Sequence, residues 1–280
     1  MNQYIEPFKE LFNPRHSLKY RMMRFCARLN FFKYFPEGHK KKSISKKDFK
    51  YLNCDSSPNV VLEELHSKGL SRRLPASDRL INELLEITNS NRFCARGSKV
   101  INSNKDYLIK LDNQDPLRPD VYNIYSLMNV HNNNDLVKDF IKHDLLPIAS
   151  SYLGQEAYIH NTQIWISFSD DEDFKNPDYG FHYDIDDYRF LKYFMYLSDV
   201  DENSGPHEVI EETHKGNDLY KFFNRRLTSN SSFLKKNRIT TICGRQGDSF
   251  FEDTFCYHRG KNPVRPRIIF GAVFCVNKYD

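Results

Sequence analysis

The sequence predicts an α+β fold in which helices pack on one face of a double-sheet jelly roll, with a helical extension at the N-terminus. Three observations carry that reading. Apolar residues recur at helical spacing through the first half of the chain; after Gly154 the pattern changes to short alternating runs separated by turn residues. The 22 Phe and 17 Tyr favour strands, because flat rings pack well on pleated surfaces. With 39% hydrophobic and 28% charged residues, a chain of 280 residues can build a core and is not a disordered one. We divide it into a basic extension and connector over 1–56 and a single domain over 57–280, whose jelly-roll core spans about 155–276.

Taken in order, residues 1–35 read as one or two basic helices. Phe8, Leu11 and Phe12, then Leu18, Met22, Phe25, Cys26 and Leu29, fall near helical spacing with Arg and Lys between them. Residues 38–56 form a lysine-rich connector. Helices follow near 59–67 and 77–88, the second opening on Ser77-Asp78 as a cap. A third is expected over 134–153, capped by Asn134 or Asp135, bent at Pro147 and stopped at Gly154 by a left-handed turn. The strand candidates are 156–168, 180–187, 190–198, 206–211, 237–243, 248–258 and 266–276, punctuated by Asp201 to Pro206 and Gly244 to Asp248.

Charge and cysteine content narrow the function classes. A net charge of +4 without a recognised reader motif argues against a nucleic-acid partner. The first fifty residues nonetheless carry thirteen Lys and Arg against four Asp and Glu, so either a solvated face or a surface for lipid headgroups or another polyanion is open there. The six cysteines make no C-x-x-C pair and no disulfide framework, and no signal peptide precedes them, so a cytoplasmic setting is expected, with peripheral contact at an inner membrane surface as an option. No apolar run approaches the roughly 20 residues of a membrane-spanning helix.

The chemistry is concentrated in the second half. On a strand over 180–187, alternation sends His182, Asp184 and Asp186 one way and Phe181, Tyr183 and Ile185 the other. His182 and Asp184 thereby reach one face at the separation two ligands of one metal need. A third ligand must come from elsewhere, and His258 ends the aromatic run from Phe250 to Tyr257. Two histidines and a carboxylate hold iron(II) on one side and leave three positions open. Arg267, nine residues beyond His258, begins a strand and offers a planar fork for a carboxylate. Cys256-Tyr257-His258 does not read as a zinc site, because no second Cys/His pair stands at the required spacing.

From His182-Tyr183-Asp184, the run Tyr196 to Val200 followed by Asn203 to Pro206, Glu212 to Lys215, Gly247-Asp248, and His258 through Arg267, the chain resembles the phytanoyl-CoA dioxygenase family of iron(II)- and 2-oxoglutarate-dependent oxygenases over roughly 134–276. The resemblance implies a double-stranded β-helix of cupin-like form, with His182, Asp184 and His258 as metal ligands and Arg267 as the co-substrate anchor. It implies iron(II), 2-oxoglutarate and dioxygen as cofactor and co-substrates, and hydroxylation of an unactivated C–H bond with release of succinate and carbon dioxide. A halogenase is disfavoured, since those relatives lack the carboxylate ligand and Asp184 is present. The chain departs from the family where Glu212-Thr213-His214 replaces Gly-Ser-His and where Phe194 stands for a frequent tryptophan.

Lys192, Gln163 and Thr213 are further candidates for the co-substrate, beside Arg267. Arg265 is the rival of Arg267, and either could form a surface ion pair. Lys192 shares a face with Phe194 and Tyr196 and could meet an acid inside or be solvated. Gln163 and Asn161 are polar groups on the strand leading to Trp165. Asp186 and Asp187 read as loop or supporting residues, and His207 and His214 as structural or substrate contacts. The substrate expected is a small molecule or a lipid-linked one, anionic in character. The rival function is a jelly-roll module that binds or regulates without catalysis.

Overall fold

The computed structural model describes residues 8, 11–12, 17–29, 49–53, 57–91, 93–95, 108–109, 124–168, 180–215, 219–228 and 230–278. Most of the expected 38–56 connector lies outside them. The helices are α1 (Leu18–Ala27), α2 (Pro58–Lys68), α3 (Asp78–Ser90), α4 (Asp135–Phe140) and α5 (Leu146–Leu153), with two short ones later, α6 (Leu219–Phe223) and α7 (Ser232–Lys236). Local chemistry sets their ends. Ser57 accepts a bond from the Asn59 N–H ahead of Pro58, and Gly69 closes α2 at φ 78°. Asn134 accepts from the Val137 N–H at 2.9 Å, and Gly154 ends α5 at φ 74°. The bend expected at Pro147 takes the form of one π-helical turn, Ile141–Leu145, between α4 and α5. Proline supplies no N–H to the ladder, so the register changes just ahead of it.

Among the described residues, all the strand pairs are antiparallel. An eight-stranded sheet runs in the order β1-β9-β6-β11-β5-β4-β2-β3, and a three-stranded sheet in the order β10-β7-β8. Its second-half members are β5 (Tyr158–Ser167), β6 (Phe190–Tyr196), β9 (Asp248–Glu252) and β11 (Arg267–Cys275); the small sheet holds β7 (His207–Ile210), β8 (Ile239–Ile242) and β10 (His258–Gly260). The first half adds β1 (Leu74–Pro75), β2 (Phe93–Ala95), β3 (Leu108–Ile109) and β4 (Ile124–Met128) to the large sheet. The sequence pattern missed these four, which are short and two of which have only two residues.

Two expected strands are corrected. The 248–258 run is not continuous: β9 ends at Glu252, a turn follows, and β10 resumes at His258 in the other sheet. Asp253 makes that turn by accepting the Phe255 N–H on its carboxylate and the Cys256 N–H on its carbonyl. Residues 180–187 form no ladder strand, only isolated bridges from His182 to Arg226 and His258. Past Asp184 the chain bends away, because the buried Asp187 carboxylate gathers the N–H groups of Tyr188, Val276 and Asn277. The expected alternation survives in this extended stretch: Phe181, Tyr183 and Ile185 are core, while His182, Asp184 and Asp186 line a cavity.

Strand alternation gives the large sheet two unlike faces. Ile164, Ile166, Leu191, Tyr193, Met195 and Phe270 pack against Leu65 of α2, Leu80 and Leu84 of α3, Phe140 of α4 and Ile148 of α5. Each fully buried large apolar side chain here contributes about 1.5–3 kcal/mol. The opposite face meets the small sheet, and the cavity lies between them.

Candidate metal centre

The two imidazoles meet because their backbones pair. The His182 N–H donates to the His258 carbonyl at 2.9 Å and the His258 N–H returns the bond at 2.8 Å. Directly opposed residues of such a pair send their side chains to the same face, and the ring centroids stand 4.7 Å apart. Asp184 is two residues further on and returns to that face. Its Oδ2 lies 3.3 Å from His258 Nε2 and its Oδ1 3.8 Å from His182 Nε2. One candidate donor atom from each of the three falls within 4.8 Å of the others.

Backbone carbonyls set the tautomers. His182 Nδ1 donates to the Gly180 carbonyl at 2.8 Å and His258 Nδ1 to the Cys256 carbonyl at 3.0 Å. A carbonyl only accepts, so each Nδ1 carries a hydrogen and each Nε2 faces Asp184. On His182 that nitrogen presents a lone pair, whereas on His258 the burial that disfavours a proton is outweighed by Glu252 and Asp184, so its hold on a proton is raised. Two imidazoles so held, with one carboxylate, are the donor set of a facial site for a divalent ion. Burial, aided by His258, lowers His182 to about 3 and keeps it neutral. Burial opposes the charge of Asp184, yet Lys192 and His258 outweigh it and hold the carboxyl well below its usual range.

Behind His258 stands a pair that the sequence reading did not assemble. His207 Nε2 meets Glu252 Oε2 at 2.7 Å, and the other Glu252 oxygen lies 3.8 Å from His258 Nδ1. The His207 ring stacks on His258 at 5.4 Å and 20°. Glu252 is fully buried. The available signal was its inward position in an otherwise apolar run, two residues after Phe250 on the same face.

Lys192 points inward, as one of its two expected readings had it. Its ammonium bonds Asp184 Oδ2 at 2.7 Å and Asp186 Oδ2 at 2.8 Å. Burial lowers this group's affinity for a proton, but the two carboxylates outweigh that and the net direction is upward. Arg225, also unanticipated, brings Nη2 to 4.0 Å from Asp184 Oδ1 while its Nε bonds the Tyr183 carbonyl.

Arg267 and Arg265 separate cleanly. Arg267 is buried, donates to the Gly205 carbonyl and lines the cavity. Its guanidinium lies over Gly260, where an added Cβ would stand 2.7 Å from Nη2, so the missing side chain makes room for it. Arg265 is exposed and pairs with Asp201. Gln163 reaches the cavity, opposite Gly271 in the register of β5 and β11; Asn161 is not among the lining residues. Thr213 does not line it either. Its hydroxyl donates to the Ile210 carbonyl and accepts the Tyr257 N–H, so the expected co-substrate contact is replaced by a turn-fixing role. His214 lies 3.4 Å from the Cys256 sulfur, whose thiol burial pushes up to about 12, so it stays protonated.

The cavity has a volume of about 300 Å³. Trp165, Phe194 and Ile269 supply apolar wall, and Lys192, Arg225, Arg226 and Arg267 supply positive charge against Asp184 and Asp186. Such a space admits a small anion next to His182, Asp184 and His258.

No family model and no curated protein matches the chain. Solved structures do. The non-haem alpha-ketoglutarate-dependent epimerase SnoN from nogalamycin biosynthesis aligns over 78% of this chain and 82% of its own, with a TM-score of 0.53 and 12% identity. HygX from Streptomyces hygroscopicus, solved with nickel and 2-oxoglutarate, aligns over 76% and 85% at a TM-score of 0.49 and 14% identity. EvdO2 from Micromonospora carbonacea var. aurantiaca, complexed with 2-oxoglutarate, aligns over 82% and 96% at 0.48 and 16%. At these identities the likeness to SnoN establishes a shared fold.

Proposed function

We propose that this chain is an iron(II)- and 2-oxoglutarate-dependent dioxygenase of the phytanoyl-CoA dioxygenase type, built on a jelly-roll core. The reaction favoured is hydroxylation of an unactivated C–H bond in a small-molecule or lipid-linked anionic substrate. The observation that carries it is the convergence of His182, Asp184 and His258 within 4.8 Å beside a cavity that also holds Arg267. A centre of this kind, when loaded with iron(II), 2-oxoglutarate and dioxygen, supplies C–H oxidation coupled to release of succinate and carbon dioxide.

The chain's own share is positioning. His182 and His258 present Nε2, and Asp184 presents a carboxylate oxygen, from one side only, which leaves room for a bidentate ligand. Arg267 brings a planar guanidinium to the cavity wall, suited to a distal carboxylate in a way that a lysine cannot copy. Trp165, Phe194 and Ile269 form the apolar part of the wall, against which a bound substrate can be held. Four cationic side chains facing two carboxylates favour a dianionic co-substrate and an acidic group on the substrate.

Anaerobic protein titrated with iron(II) and 2-oxoglutarate should develop a weak visible charge-transfer band, lost in His182→Ala. Succinate release stimulated by one of a panel of anionic metabolites and acyl conjugates would then identify the substrate class. Absence of the band in the intact protein would favour a module that binds without catalysis.

A further inference from the structure

We propose that the N-terminal helix docks this protein on an anionic lipid surface. The inference is independent of the metal centre and rests on a helix with two apolar faces. At 100° per residue, Met23 and Ala27 fall on one side of α1 and are buried in a core cluster that includes Phe181 and Tyr183. That side is fastened by polar bonds as well. Arg24 donates to the Ile185 carbonyl at 2.6 Å, and Arg28 donates to the Phe222 carbonyl at 3.1 Å.

Leu18, Met22, Phe25 and Leu29 fall on the other side in a stripe about 60° wide. Leu18 is 64% exposed, Met22 46% and Leu29 40%. Half-buried Phe25 holds the exposed Phe8 at 5.6 Å, Arg21 donates to the Leu11 carbonyl at 2.8 Å, and the next residue, Phe12, is exposed. Among the described residues, five of the ten exposed large hydrophobics lie between positions 8 and 29. The exposure is concentrated, as at an interaction surface, and not scattered singly.

Charge selects the occupant. The first fifty residues hold thirteen Lys and Arg against four Asp and Glu, eleven without the inward-bonded Arg24 and Arg28, whereas the remaining 230 hold 28 against 33. Lys19 and Arg21 flank the exposed stripe on either side. A nucleic acid would satisfy the cations and leave Leu18, Met22 and Phe12 in water. An anionic bilayer takes both, with apolar side chains at the acyl boundary and cations among the headgroups. The contact would be peripheral, since no helix among the described residues is long and apolar enough to cross.

Flotation of the full-length protein with phosphatidylcholine vesicles, with and without about 30 mol% phosphatidylserine, tests this. Binding should favour the phosphatidylserine vesicles at least ~10-fold at low salt and weaken at about 0.5 M salt. Leu18→Glu/Met22→Glu should lower it at least ~10-fold with an unchanged circular dichroism spectrum, because both side chains point outward. Lys19→Glu, which leaves the apolar stripe intact, should lower it severalfold. The proposal is overturned if wild type shows no preference for phosphatidylserine, or if the double variant binds as well as wild type. It is equally overturned if a duplex oligonucleotide binds more tightly than the vesicles and the double variant leaves that binding unchanged.

Discussion

The two faces of the large sheet are made of the same strands and do different work. Tyr193, Phe251 and Ile268 point toward the helices; their chain neighbours Lys192, Glu252 and Arg267 point toward the small sheet. One face is closed and apolar, and removing atoms from it opens voids. The other carries buried charge, which is tolerable only because each group meets a partner: Lys192 on Asp184 and Asp186, Glu252 on His207. Stability therefore belongs mainly to the helix side and chemistry to the cavity side, separated by the thickness of a single strand.

Substitutions can break that division or sharpen it. The largest effect belongs to Phe270→Ala, which empties a fully buried site on the helix side. It should cost about 3–5 kcal/mol in urea denaturation, while the folded fraction keeps its metal affinity; a parallel loss of metal binding would show that the faces are not separable. Arg267→Lys keeps the charge but loses the fork, so calorimetry should show 2-oxoglutarate binding weakened about 10- to 100-fold, in line with charge-assisted bonds of roughly 1.5–3 kcal/mol. Its urea midpoint should move less than that of Phe270→Ala. In Glu252→Gln the His207 contact can persist while the negative charge behind His258 is gone, and cobalt(II) titration followed by absorbance should report about tenfold weaker binding. Unaltered affinity there would reduce Glu252 to a packing residue. The smallest effect is expected of Arg265→Ala, because its ion pair with Asp201 is more than half exposed on both sides. Co-substrate affinity should stay within about twofold of wild type.

What the sequence made legible follows from the range of each interaction. Helices α2 to α5 could be read from apolar spacing, which is local, and so could the Asn134 cap and Gly154 as a stop; Ser77, expected to cap α3, precedes it but makes no side-chain capping bond. That His182 and Asp184 share a face could be read because alternation is local as well, and it held even where residues 180–187 gave up strand pairing. His258 came from the family resemblance, and only the tertiary pairing shows it beside them. Partnerships set by tertiary register stayed hidden. That Glu252 faces Lys192 across β9 and β6, and reaches His207 from the other sheet, depends on how distant strands align. Thr213 shows the converse: a hydroxyl at a suggestive position in the chain is consumed by the turn that carries it. The short strands β1 to β4 escaped because two to five residues are too few to reveal a period.

The central claim is that His182, Asp184 and His258 form one metal site on the cavity side of the sheet. The most direct measurement is an anomalous difference map, recorded at the iron edge, from anaerobically grown crystals soaked with iron(II) and 2-oxoglutarate. A single peak about 2.0–2.2 Å from both Nε2 atoms and an Asp184 oxygen is the predicted result. A peak elsewhere, or none between these three side chains, would contradict it.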